Sequence, residues 1–514
     1  MKLDLDKELY KHFQLSSFRE GQKEVIEHVM KRENVLAVMP TGTGKSLCYQ
    51  LPARLLPSPV IVISPLLSLM FDQVKKLKAS GFKRVVAINS MMEYHVRKEV
   101  LYQLHHYQLI YVSPEILQSQ EVLQAIQNIQ PSLMVIDEAH CISQWGHEFR
   151  PDYLRIKEAH DYIGNPPILA LTATATPDVQ HDIIHHLDMK QPKKVIFPID
   201  KSNLSFVVEE LAYVEDKLDR LISLIHQYPV PTMIYFSSRK TAEQVAAKLQ
   251  HSIDAEVGYY HGGLSTEDRV LIQEQFMRNE LQVICCTSAF GMGIDKPDIR
   301  QIIHYHLPTQ VESFIQEVGR GGRDGLPALS ITLYHPSDIH VPSNLVLNEL
   351  PSTTAMERLL QHLWEMTDPS LEDILEYIDV DQDIKESHLR FIVYHLEKYG
   401  VLNDYQIIGL RESSKEELQR YFQQIINSRT EYKLQKLREM MDWIECSKCR
   451  REALFQSFQK HVEKPSINCC NNCGFEWDKW KPNEVKREKA NLSWEKRLRL
   501  LLLQDKDEWE NIHE

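Results

Sequence analysis

No stretch of this 514-residue chain stays apolar for long enough to cross a bilayer. Its longest apolar runs, such as Val60–Ile63 and Leu500–Leu503, have the length of a strand, whereas a membrane-spanning helix needs about 20 residues. The opening MKLDLDKELY has no apolar run behind a basic stretch, so no secretory signal is expected. Short-period repeats and low-complexity tracts are missing as well. A soluble, intracellular protein with no membrane partner is expected. Surplus positive charge is also missing: 59 basic against 72 acidic residues leave a net charge of −13. An acidic total argues against a broad phosphate-binding surface. It leaves room for a narrow positive groove with modest, salt-sensitive affinity.

Cysteine is sparse over most of the chain. Cys48, Cys141, Cys285 and Cys286 are scattered among apolar residues, where a reduced packing thiol is the default. Cys446, Cys449, Cys469, Cys470 and Cys473 crowd into one stretch. Without a secretory signal, that cluster reads as a metal site before a disulfide framework.

What is present is ordinary for a globular protein: 43% apolar and 25% charged residues, in a chain long enough for two to four domains. Between about Glu33 and Pro336, short Val- and Ile-rich runs alternate with amphipathic segments. They include Val35–Met39, Val60–Ser64, Leu109–Val112, Leu133–Ile136, Ile168–Leu171, Met233–Phe236, Val283–Cys286 and Ile302–His304. Such runs predict buried parallel strands with helices between them, an α/β architecture. A break near Phe197–Asn203 divides it into lobes at residues 1–200 and 201–336. Met356–Glu365, Leu371–Ile378 and Glu386–Tyr399 then have helical periodicity, Gly400 stops the third, and Val401–Arg411 reads as a ribbon. Residues 337–412 therefore resemble a winged-helix module, with a plain helical insert as the alternative. Residues 413–480 read as a helical, cysteine-bearing module, and 481–514 as a charged tail.

Four motifs carry chemistry. Pro40-Thr41-Gly42-Thr43-Gly44-Lys45-Ser46 joins a strand to a helix, the context of a phosphate-binding loop. Its glycines admit phosphate to backbone N–H groups, Lys45 reaches the β/γ-phosphates of ATP and Ser46 ligates Mg²⁺. Met39 stands where the strict pattern has glycine. Asp137-Glu138-Ala139-His140 follows a buried strand, placing Asp137 to hold Mg²⁺ and Glu138 to deprotonate water. Gln316–Asp324 holds Arg320 and Arg323 in a Gly-rich turn suited to meeting transition-state charge, with Gln316 beside the nucleotide. Cys446-x2-Cys449-x20-Cys470-x2-Cys473 has the spacing of a structural Zn²⁺ site, with Cys469 as the competitor for Cys446. Adjacent cysteines rarely share one metal comfortably, which favours Cys446.

The motif series as a whole resembles the RecQ family of DNA helicases. Phe18-Arg19-Glu20-Gly21-Gln22 is similar to the family's adenine-reading element, which implies ATP contacts for Phe18, Arg19 and Gln22. Ser64–Met70, Tyr111–Glu115, Leu171–Thr176, Tyr260–Leu264 and Ala289–Pro297 resemble strand-holding and coupling motifs. Cys141–Pro151 resembles the RecQ aromatic-rich loop, so Trp145 and Phe149 are expected to stack on bases and Arg150 to hold a phosphate. The resemblance implies two RecA-like lobes and an ATP-, Mg²⁺- and Zn²⁺-dependent enzyme. It would move 3′ to 5′ on single-stranded DNA and unwind duplex or forked DNA in repair, recombination or fork maintenance. Partners such as a single-strand-binding protein or topoisomerase, and a cytoplasmic, nucleoid-associated location, are implied likewise. The alternatives are a DNA-stimulated translocase with little unwinding and an RNA-dependent DExH ATPase. The order of parts departs from the family: about 90 residues separate the second lobe from the cysteine cluster.

Overall fold

The computed structural model describes residues 4–65, 67–143, 151–290, 296–381, 383–403, 406–407, 415–459, 461–465 and 467–482. The chain divides into two compact units, residues 1–482 and 483–514. The second unit lies outside the described residues, as do Trp145, Phe149 and Arg150 and residues 291–295 of the Ala289–Pro297 motif.

Seven strands form the first sheet: β1 (Val35–Val38), β2 (Val60–Ile63), β3 (Val85–Ile88), β4 (Leu109–Val112), β5 (Leu133–Ile136), β6 (Ile168–Thr172) and β7 (Lys193–Ile196). They pair in the order β3-β4-β2-β5-β6-β1-β7, all parallel. Alternate residues of each apolar run serve opposite faces. Leu36, Val38, Ile61, Ile63, Ile110 and Val112 enter one core, and Val35, Ala37, Val60, Val62, Leu109 and Tyr111 the other.

A second parallel sheet holds β8 (Leu204–Glu210), β9 (Thr232–Tyr235), β10 (Val257–Tyr260), β11 (Val283–Cys286), β12 (Gln301–His304) and β13 (Ala328–Tyr334). Their order is β10-β11-β9-β12-β13-β8. Helices Thr353–Glu365, Leu371–Val380 and Leu389–Lys398 follow, then an antiparallel ribbon of β14 (Leu402–Asn403) and β15 (Gln406–Ile407). Gly400 ends the third helix at φ 82°, where a side chain would be strained. These elements share one core with the start of a single 31-residue helix, Lys415–Glu445. The far end of that helix joins a different core. Trp443 packs with Phe314 of the second lobe and with Cys449 and Cys470, in a cluster that continues into the first sheet. The cysteine-bearing segment is thus bolted to both lobes.

Candidate active site

The strand order β5-β6-β1 brings the phosphate-loop motif and the acidic motif to neighbouring carboxyl ends of the first sheet. The loop turns at Gly42 (φ 84°) and Gly44 (φ 75°), conformations that favour glycine and face N–H groups to one side. A helix, Leu47–Leu55, begins immediately after it, and the Ser46 hydroxyl makes no capping bond to that helix. Lys45 Nζ has a long contact, 3.5 Å, to the Met39 carbonyl.

On the same sheet, Asp137 is half-buried at the end of β5. Burial and the neighbouring Glu138 push its carboxyl up to about 7, against the pull of Lys45. Two adjacent acids in a buried strand end are costly unless a cation meets them. Glu138 Oε2 is buried without a hydrogen bond and lies 3.4 Å from His140 Nδ1. His140 Nδ1 in turn is 2.9 Å from Thr172 Oγ1 in the Leu171–Thr176 motif.

The second lobe completes the cleft with the turn after helix Val311–Val318. Arg300, almost wholly buried, pairs with Asp324 and fixes the end of this turn. A side chain at Gly42 would lie 2.9 Å from Arg323 Cδ, so the glycine admits the arginine. The Gly319 carbonyl accepts from Thr41 Oγ1 at 2.7 Å and from Lys201 Nζ at 2.5 Å. One oxygen therefore ties the phosphate loop, the arginine turn and the interlobe linker together. Thr41, Gly42, Gly44, Lys45, Ser46, Asp137, Glu138, Gln316, Arg320 and Arg323, all expected site residues, line this one cleft. Leu69, from the Ser64–Met70 motif, lines it too, as do Tyr49 and Gln73, which carried no motif signal.

Four expected nucleotide contacts sit behind the loop instead. Gln22 Oε1 accepts from Arg19 N (2.9 Å), and Nε2 donates to the Thr43 and Gly44 carbonyls (2.8 and 3.0 Å). Arg19 donates to the Gly42 carbonyl, Thr43 Oγ1 donates to Pro40 O, and Phe18 packs against the core of the first lobe. In this state Gln22 braces the loop, with both ends of its amide engaged.

Sequence comparison agrees with this geometry. Residues 19–183 match the DEAD/DEAH box helicase model, and residues 216–325 the helicase conserved C-terminal domain. The probable ATP-dependent DNA helicase RecS of Bacillus subtilis is 39% identical over 502 residues, covering 96% of this chain and 97% of RecS. The chain belongs to the RecQ family of helicases. The ATP-dependent DNA helicase RecQ of the same organism is 42% identical over 342 residues, 65% of this chain. This helicase spans only 57% of that RecQ's length. Among solved structures, the Mycobacterium smegmatis helicase Lhr bound to single-stranded DNA and AMP-PNP matches with TM-score 0.55 at 21% identity. That match covers 67% of this chain and 49% of Lhr, and it supports the fold. The helicase MrfA bound to DNA gives 0.56 at 17% identity, over 80% of this chain and 64% of MrfA.

The cysteine cluster departs from expectation by one member. The sulfurs of Cys449, Cys469, Cys470 and Cys473 lie within 4.8 Å of one another. Cys446 stands apart, 3.7 Å from the Lys448 carbonyl and 3.9 Å from Arg450. The reason is local. Asn468 turns the chain through φ 55°, and Cys470 bridges to Phe206 at the edge of β8, which draws adjacent cysteines into one group. Cys449 and Cys469 are 3.8 Å apart, close to the edge of about 3.8 Å in a tetrahedron of thiolates on zinc. Arg450 N donates to Cys470 Sγ at 3.4 Å. The donor chemistry suits zinc. Among the described residues, no helix is long and apolar enough to cross a membrane.

Proposed function

We propose that this RecQ-family enzyme is an ATP-dependent helicase that tracks 3′ to 5′ on single-stranded DNA and parts duplex or forked DNA. The observation that carries it is the shared cleft: a phosphate loop and acid pair from one lobe face two arginines from the other. Lys45 and the loop N–H groups hold the triphosphate. Mg²⁺, held through Ser46 and Asp137, would neutralise charge on the β- and γ-phosphates. Glu138 orients the attacking water and takes its proton. Arg320 and Arg323 offset the charge that develops on the γ-phosphoryl. Because the cleft closes with Thr41 on Gly319, hydrolysis and release separate the lobes and move the strand. Gln22, Arg19 and Phe18 reach the adenine only after Gln22 exchanges a loop carbonyl for the base. Zn²⁺ on Cys449, Cys469, Cys470 and Cys473 would supply folding energy to the segment that grips both lobes. Trp145, Phe149 and Arg150 meet the strand and report its presence to Glu138, by family resemblance. A cytoplasmic, nucleoid-associated place and contact with a single-strand-binding protein or topoisomerase belong to the same proposal.

Steady-state ATPase with single-stranded DNA or RNA of one sequence tests this. Strong stimulation by DNA alone is expected; equal stimulation by RNA would favour an RNA-dependent ATPase.

A further inference from the structure

The module between residues 337 and 412 has a core of its own, from Ala355 to Ile426, that contains no residue of either sheet. Among the described residues, two ion pairs join it to the first lobe. Helix Leu389–Lys398 packs on the short helix Pro151–Leu154. Glu397 pairs with Arg155, whose guanidinium carbon lies 6.0 Å from the Tyr394 ring centre. Arg390 reaches Glu115 at 3.2 Å. Arg390 also faces Asp152, whose carboxyl is raised by burial and by Glu115 and lowered by Arg390.

Between Asp152 and Arg155 stands Tyr153, fully buried. Its hydroxyl donates to the Asp137 carbonyl at 2.9 Å, while the Asp137 N–H bonds the Ile63 carbonyl at 2.9 Å. The Tyr153 bond therefore fixes the peptide that joins Asp137 to Glu138. Glu138 has φ 48°, a left-handed conformation that persists in a non-glycine residue only where its surroundings over-determine it.

We infer that Glu397 and Arg155 are positioning residues for ATP hydrolysis: the docked helix holds Pro151–Leu154 in place, and Tyr153 thereby holds the Asp137–Glu138 peptide. The inference rests on Glu138 acting on the attacking water. The Glu397–Arg155 pair carries more of the effect than Arg390–Glu115, since its side chains are 32% and 29% exposed whereas Arg390 is 66% exposed. The module thus has a side-chain route to the acid pair that needs no contact with ATP.

The test is ATPase kinetics at saturating single-stranded DNA for Arg155→Glu, Glu397→Arg, the two combined, and Tyr153→Phe. Each single reversal and Tyr153→Phe should lower kcat about three- to tenfold while KM for ATP stays within about twofold. The combined reversal should return kcat to within about twofold of the parent, as a restored ion pair requires. Melting curves accompany each variant, and Arg155→Gln with Glu397→Gln replaces any reversal that fails to fold. A combined variant no faster than the slower single, or Tyr153→Phe at the parental rate, would overturn the inference. If the parent itself lacks DNA-stimulated turnover, the proposed function fails instead.

Discussion

Two pairs of arginines are set in contrasting places in this molecule. Arg450 and Arg451 sit in the cysteine-bearing segment and are consumed by the fold. Arg450 bonds the Trp443 and Ile444 carbonyls at 3.0 and 2.9 Å, capping the long helix, and Asn471 at 2.6 Å. Arg451 is fully buried, pairs with Asp200 and bonds the Lys201 and Leu204 carbonyls of the interlobe linker. Arg320 and Arg323 instead line a cleft opposite Lys45, Asp137 and Glu138. The first pair meets acceptors built into the chain and fixes geometry. The second pair lines the cleft that the proposed function gives to the triphosphate. Residue type is the same; what separates the pairs is their place in the fold, a linker for one and an open cleft for the other.

That contrast can be broken most sharply at Arg323. Arg323→Ala should lower kcat about 10³-fold or more, the usual loss of an arginine finger, with the melting temperature unchanged. Steady-state ATPase beside a thermal melt measures both; a normal rate would move Arg323 into the structural class. Arg451→Met should do the reverse. Leaving Asp200 buried and unpaired should cost about 3–5 kcal/mol in urea unfolding. Adding Asp200→Asn should recover much of that loss, and full stability of the single variant would show that the linker does not need this bolt. The smallest effect concerns the neighbouring cysteine cluster. Cys469→Ser should lower zinc stoichiometry, whereas Cys446→Ser should leave one zinc per chain, both read by metal analysis after dialysis. The opposite pattern would return the fourth position to Cys446.

Much of both sheets was legible because their inner strands are buried on both faces, which writes a continuous apolar run into the sequence. Leu109–Val112, Leu133–Ile136 and Val283–Cys286 coincide with strands β4, β5 and β11. The edge strands were less legible. Lys193–Ile196 buries only Val195, and Val257–Tyr260 only Tyr260, so neither shows such a run. That Lys45, Asp137 and Glu138 share a cleft was readable because each belongs to a motif at a strand's carboxyl end. Lys201 and Tyr153 were not, since each acts through a backbone carbonyl that any residue could offer. The grouping of Cys469, in place of Cys446, with the other three sulfurs was not legible for a related reason: spacing cannot reveal the turn at Asn468 that gathers Cys469 and Cys470. The long helix Lys415–Glu445 was visible as helix, while its service to two separate cores was not.

The central claim is that nucleotide cleavage between the lobes drives strand separation. Unwinding of a labelled duplex with a single 3′ tail, with ATP and Mg²⁺, tests it most directly when the parent and Lys45→Ala are compared. The account predicts released strand from the parent on the 3′-tailed substrate, little on a 5′-tailed one, and none from Lys45→Ala. Release by the parent without ATP, or equal release by Lys45→Ala, would contradict it.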